Sequence, residues 1–149
     1  MVSSTAAKVN IEPRTVLGHN CRIFHGASLG GEPQIVGFDP ETTSSVIIGN
    51  HTTIREYATV HRSGEENGAT EVGDHCLLMA YTHVAHDCTV GNHCVMANSA
   101  NLAGHVLIQD RVVVGLHPNA YDFTRGTRHS ALLSDRRSGP QAGEPAWRG

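Results

Sequence analysis

The sequence predicts an all-β protein, a parallel β-helix built from hexapeptide repeats and followed by an irregular C-terminal tail. Two observations carry that reading. An aliphatic residue recurs at every sixth position, without a miss, at Val72, Leu78, Val84, Val90, Met96, Leu102, Ile108 and Val114. Ile, Leu, Val and Met supply 33 of the 149 residues, so eight hits in a chosen register have a chance probability on the order of 10⁻⁵. Four residues after each anchor stands a small or slim residue (Cys76, Thr82, Cys88, Cys94, Ala100, Val106, Val112), and only Pro118 departs. Each hexad is therefore expected to form a short extended rung with its anchor inward and then to turn a corner. Three hexads close a coil of about 18 residues, and coils stack at roughly the 4.8 Å strand spacing. A helical period of about 3.6 fits these anchors poorly.

In chain order, residues 1–8 carry no period and are expected to be a disordered start. The β-helix is expected over residues 9–124. Its first anchors are Ile11, Leu17, Ile23 and Leu29, with Thr15, Cys21 and Ala27 at the small positions. Residues 30–45 (GGEPQIVGFDPETTSS) break the period with turn-forming residues and read as a loop. Rungs resume at Ile48, Ile54 and Val60, with Thr52 and Ala58 between them. A second, shorter loop follows over residues 61–70 (HRSGEENGAT) before the uninterrupted run. Long loops on a regular scaffold are commonly where function sits. Over residues 125–149 the register lapses. Five of the chain's ten arginines and a Gly/Pro-rich close mark an irregular or aberrant tail.

Composition narrows the function classes. A net charge of −3 and the lack of any nucleic-acid motif give no reason to expect a nucleic-acid partner. No apolar run approaches the ~18 residues of a membrane span, and a signal-peptide core is missing, so a cytoplasmic protein is expected. Aromatics at 5% suit a narrow prism lined by aliphatic and small side chains. Cys21, Cys76, Cys88 and Cys94 all fall at the small position of a hexad, and no C-x-x-C pair occurs. They are expected to fill the interior rather than to bind metal or do redox chemistry.

Eleven histidines offer more chemistry. His51, His75, His93, His105 and His117 share the fourth position of their hexads. For His51, His75, His93 and His117 a solvated surface ladder is the expected outcome. YTHVAHDCTVG differs, because His83 and His86 flank a corner and Asp87 follows His86 directly. Eighteen residues on, Gly104 stacks near His86 and His105 above Asp87. A histidine beside a carboxylate can act as a general base, and a backbone N–H at a glycine can receive an oxyanion. Spacing alone leaves two readings open, a catalytic site or a polar surface corner.

The segment LLMAYTHVAHDCTVGNHCVMANSANLAGHV, with IREYATVHRS and ASLGGEPQ before it, resembles the bacterial acyl-[acyl-carrier-protein]–UDP-N-acetylglucosamine O-acyltransferases over roughly residues 9–116. That resemblance implies a left-handed β-helix, contrary to the usual right-handed crossover, and a homotrimer with sites between subunits. It implies transfer of a 3-hydroxyacyl chain from acyl carrier protein to the glucosamine 3-hydroxyl of UDP-N-acetylglucosamine, the first step of lipid A synthesis, with no cofactor and no metal. His86 would be the general base, Asp87 its support and the Gly104 amide the oxyanion donor. His83, His105 and Gln34 would contact the nucleotide sugar.

The chain departs from the family's usual pattern at Ile35, Gly37 and Tyr121-Asp122-Phe123. It is expected to lack the family's first coils, its last coils and its C-terminal helical domain. Alternatives are a catalytically silent truncated β-helix, another hexapeptide acyl- or acetyltransferase, or a γ-type carbonic anhydrase. The last needs two histidines spaced H-x4-H. Here the spacing is His83-x2-His86, with Tyr81 five before His86, which argues against zinc.

Overall fold

Each hexad places its anchor as the inward residue of a short strand, as in Leu77–Leu78, His83–Val84, Thr89–Val90, Val95–Met96 and Asn101–Leu102. The chain then turns through a residue of positive φ at the hexad's fourth position. His51, Tyr57, His75, Tyr81, Asp87, His93, Ser99, His105 and Arg111 all adopt this left-handed conformation. An L-residue there costs roughly 1–2 kcal/mol. Repeated backbone bonds between corners offset the cost, such as His75 N to Asn50 O, His93 N to Asp74 O and Arg111 N to Asn92 O, each at 2.8 Å.

The computed structural model describes residues 8–115 and, for the backbone alone, residues 3–4 and 134–135. It is a left-handed parallel β-helix with three faces. The first sheet stacks Ser3–Ser4, Arg22–Ile23, Thr53–Ile54, Leu77–Leu78, Val95–Met96 and Val113–Val114. The second stacks Asn10–Ile11, Ser28–Gly31, Thr59–His61, His83–Val84 and Asn101–Leu102. The third stacks Thr15–Leu17, Ser45–Ile48, Ala69–Val72, Thr89–Val90 and Val106–Ile108. In the uninterrupted run the paired residues lie eighteen apart, Leu77 with Val95 and His83 with Asn101. Thr59 pairs with His83, twenty-four on, and Thr15 with Val46, thirty-one on, because the two loops are extruded between them. Both loops lie where the period breaks, between strands ending at Gly31 and His61 and strands resuming at Ser45 and Ala69.

Anchors and small residues together fill the interior. Ile23, Leu29, Ile48, Ile54, Val60, Leu78, Val84 and Met96 are buried, and so are all four cysteines, which are free thiols. Each thiol points at a carbonyl oxygen of the next coil: Cys21 at Gly49, Cys76 at Gly91, Cys88 at Ala103 and Cys94 at Gln109, at 3.0–3.1 Å. Exposed His51, His75 and His93 form the expected ladder, with parallel rings 4.8 and 4.9 Å apart.

The structure differs from expectation at the ends. Ile11, expected inward, is 44% exposed because it lies on the end strand of its sheet, whereas Ile23, with a strand on either side, is 0% exposed. Ser3–Ser4, expected in a disordered start, pair in parallel with Arg22–Ile23, since backbone bonding needs no anchor. In the expected tail, Ser134–Asp135 pair antiparallel with Val106 and Leu107. The coil expected over 116–124, with His117, Pro118 and Tyr121-Asp122-Phe123, lies outside the described residues, as does the rest of the tail. Among the described residues no helix is long and apolar enough to cross a membrane.

Candidate active site

Three successive coils converge at the corner between the second and third sheets. His83 points outward from its strand, in register with Thr59 below and Asn101 above. Its Nδ1 lies 2.7 Å from Thr59 Oγ1, and its ring meets that of His61 edge-on, centroids 4.7 Å apart. His86 and Asp87 occupy the corner itself. One coil on, the His105 amide donates to the His86 carbonyl at 3.0 Å, and the two rings meet edge-on at 5.0 Å.

Asp87 is the most heavily bonded group of the site. Its Oδ2 lies 2.7 Å from His86 Nδ1, accepts from the Gly64 amide at 3.2 Å, and stands 3.7 Å from His105 Nε2. Its Oδ1 accepts from the Ser63 hydroxyl. Its own amide donates to Thr70 Oγ1 at 2.8 Å. Burial pushes the carboxyl up, but the bonds from Ser63, His86 and Gly64, with the nearby His105, outweigh it and hold Asp87 below its ordinary value. An ionised carboxylate can only accept, so His86 carries its hydrogen on Nδ1 and presents Nε2 as the basic nitrogen. A Cβ built on Gly104 would collide with His86 Cε1 and Nε2, so glycine is what lets the ring lie there.

Around this pair, burial and then the neighbouring His83 and His86 drive His61 down to about 4. Burial and then His86 lower His83 too. Both stay neutral at pH 7, leaving no cation between them and His86 to oppose proton uptake.

The two loops are fastened to the site. Arg62, 7% exposed, donates to the carbonyls of Thr42 at 2.6 Å and Pro40 at 2.9 Å and lies over the Phe38 ring. Ser44 Oγ donates to the Ser63 carbonyl at 2.6 Å. Beside the corner opens a pocket of about 500 Å³ lined by Ile35, Gly64, Glu65, Asp87, Thr89 and His105, among others.

Of the residues singled out from sequence, His83, His86, Asp87, Gly104 and His105 come together. Gln34 does not join them: it is exposed on the first loop, and its neighbour Ile35 lines the pocket instead. His61, Arg62, Ser63 and Gly64 escaped sequence reasoning, although all lie in the excursion HRSGEENGAT. Ligand atoms of His86, Asp87 and His105 lie within 4.8 Å of one another, close enough to hold a cation. The carboxylate is already committed to Ser63, Gly64 and His86, so the arrangement fits a hydrogen-bonded base better.

Residues 69–104 match the family model for the bacterial transferase hexapeptide (six repeats). The chain is similar to the acyl-[acyl-carrier-protein]–UDP-N-acetylglucosamine O-acyltransferase of Burkholderia lata, 45% identical over 117 residues, covering 78% of this chain and 44% of that protein. The enzyme of the same name from Thermodesulfovibrio yellowstonii is 48% identical over 103 residues, covering 68% of this chain and 40% of that protein. Among solved structures, the UDP-N-acetylglucosamine acyltransferase of Bacteroides fragilis 9343 superposes with a TM-score of 0.67 at 39% identity, over 70% of this chain and 40% of that one. The chain thus spans less than half the length of each of these three.

Proposed function

Taking as premise that this β-helix belongs to the acyl-[acyl-carrier-protein]–UDP-N-acetylglucosamine O-acyltransferase family, we propose that it transfers a 3-hydroxyacyl chain from acyl carrier protein to the glucosamine 3-hydroxyl of UDP-N-acetylglucosamine, opening lipid A synthesis. The observation that carries the reading is the His86–Asp87 bond of 2.7 Å with Gly104 against the Nε2 side of the ring.

His86 Nε2 takes the proton of the 3-hydroxyl as its oxygen attacks the thioester carbonyl. Asp87, bonded at Nδ1, stabilises the imidazolium that forms. The Gly104 N–H receives the oxyanion of the tetrahedral intermediate. Its collapse breaks the carbon–sulfur bond, and the departing thiolate takes the proton back from His86. The products are the 3-O-acyl nucleotide sugar and the carrier protein's free thiol. No covalent enzyme intermediate is needed, so Cys88 is a core filler. His83 and His105 contact the nucleotide sugar. A neighbouring copy in a cytoplasmic homotrimer supplies a second wall to the pocket.

The test is acyl transfer from 3-hydroxyacyl carrier protein to UDP-N-acetylglucosamine, with the mass in solution measured by light scattering. Product formation by a trimer supports the reading. A protein that holds this fold, forms a trimer and yields no product overturns it.

A further inference from the structure

We propose that Ser63 is a positioning residue that commits Asp87 to His86 rather than to His105. The proposal rests on the acyl-transfer reading for its consequence in rate, but not for its geometry.

Two imidazole nitrogens compete for one oxygen. Asp87 Oδ2 stands 2.7 Å from His86 Nδ1 and 3.7 Å from His105 Nε2. The last torsion of an aspartate is broad and roughly two-fold, so a modest turn of the carboxylate hands Oδ2 from one ring to the other. The Gly64 N–H reaches the same Oδ2 at 3.2 Å, the long end of the hydrogen-bond range, and so holds it only weakly. The firmer hold is on Oδ1, whose bond among the described residues is to the Ser63 hydroxyl.

Ser63 is built to hold that position. It is 0% exposed, its Oγ accepts the Glu65 amide at 3.0 Å, and its carbonyl accepts Ser44 Oγ at 2.6 Å. The residue before it, Arg62, is tied to the first loop through Thr42 and Pro40. The hydroxyl therefore approaches Asp87 from a fixed point on the loop scaffold. Without it, the carboxylate divides between two histidines. Whenever it serves His105, His86 loses the acceptor that keeps its hydrogen on Nδ1, and Nε2 is no longer reliably the basic nitrogen. The ionisable groups facing Asp87 are His86, His105 and Glu65, with His61 and His83 behind His86.

Long-range ¹H–¹⁵N spectra of the histidine rings, taken at pH 8 on the full chain, test this without any need for turnover. The native protein is expected to show His86 as the Nδ1–H tautomer, and Ser63→Ala a mixture of both. Where acyl transfer is measurable, Ser63→Ala is expected to lower kcat about tenfold to a hundredfold with KM little changed. Glu66→Ala serves as the control: it removes the acceptor of the Thr43 amide that ties the same two loops and should lower Tm while leaving the His86 tautomer alone. Ser63→Cys, similar in shape with a weaker donor, is read in the same spectra should Ser63→Ala fail to fold, and is expected to lie between the two. A His86 tautomer unmoved in Ser63→Ala, or in Ser63→Cys if the first variant is lost, overturns the proposal. A native chain that transfers no acyl group overturns the acyl-transfer reading instead, and the tautomer still decides the role of Ser63.

Discussion

Gly104 and His86 occupy what would otherwise be one volume: the imidazole lies where a β-carbon on residue 104 would stand. The three atoms nearest that β-carbon all belong to the His86 ring, so Gly104→Ala is expected to displace the ring and spare the backbone. Acyl transfer should fall about a hundredfold or more, since an ångström of misplacement can cost that much. Circular dichroism and Tm should stay close to native. Full activity in a folded Gly104→Ala would mean that His86 does no chemistry from this position.

His86→Ala is expected to lower kcat by about 10²–10⁴, the usual worth of general-base assistance. Asp87→Ala should cost less, because in the proposed mechanism Asp87 supports the ring and does not take the proton. Steady-state kinetics on both variants checks the order, and a larger loss in Asp87→Ala would reverse the assignment of base and support.

His61 ties stability to pH. Its value near 4 in the fold lies below the ordinary 6.5, so the unfolded chain binds the proton first. Stability is then complete above about pH 6.5 and is lost as pH falls towards 4. Urea midpoints at pH 7 and pH 5 should show a larger drop in the native protein than in His61→Gln. Equal drops would remove His61 as the cause. The low value of Asp87 acts further down, below the ordinary carboxylate range, where the fold loses a second contribution.

Thr82 Oγ1 is buried and has no hydrogen-bond partner among the described residues. Thr82→Val keeps the shape and removes an unpaired hydroxyl worth about 1–3 kcal/mol of desolvation, so Tm should rise by a few degrees. A lower Tm would mean that the hydroxyl does find a partner.

Burial raises the Cys88 thiol above its ordinary value. Cys88→Ala should keep activity and lose roughly 1 kcal/mol of stability for the small cavity left behind. Mass spectrometry after iodoacetamide should find Cys88 unmodified in the folded protein. Rapid labelling there would contradict its place in the interior.

The interior was legible in the sequence because its physics is periodic. An anchor such as Leu78 and a filler such as Cys76 repeat at the spacing that the coil itself imposes, and both are buried. Ile11 obeys the same pattern, yet is exposed, because burial depends on a strand to either side and not on the residue alone. His86, Asp87, Gly104 and His105 were legible for the same reason, as eighteen residues is one step along the axis. Ser63 and Arg62 were not. They act from the ten-residue excursion over 61–70 and reach Asp87 and Thr42 at separations that no repeat fixes. Gln34 lies beyond the reach of period and register alike, on the longer loop.

The stacking of corners one coil apart has a consequence for how such a protein can change. Axial distances between side chains are set by the backbone ladder, so they are inherited whatever residues stand on it. Ala80, Tyr81 and Asn98 occupy, on the neighbouring corner, the hexad positions that Ala85's successors His86, Asp87 and Gly104 occupy on theirs. A histidine, an aspartate and a glycine grafted there would arrive at the same heights with the interior untouched, lacking only a loop to hold the carboxylate. Chemistry on this scaffold is written on the corners, while steadiness has to be imported from outside the repeat.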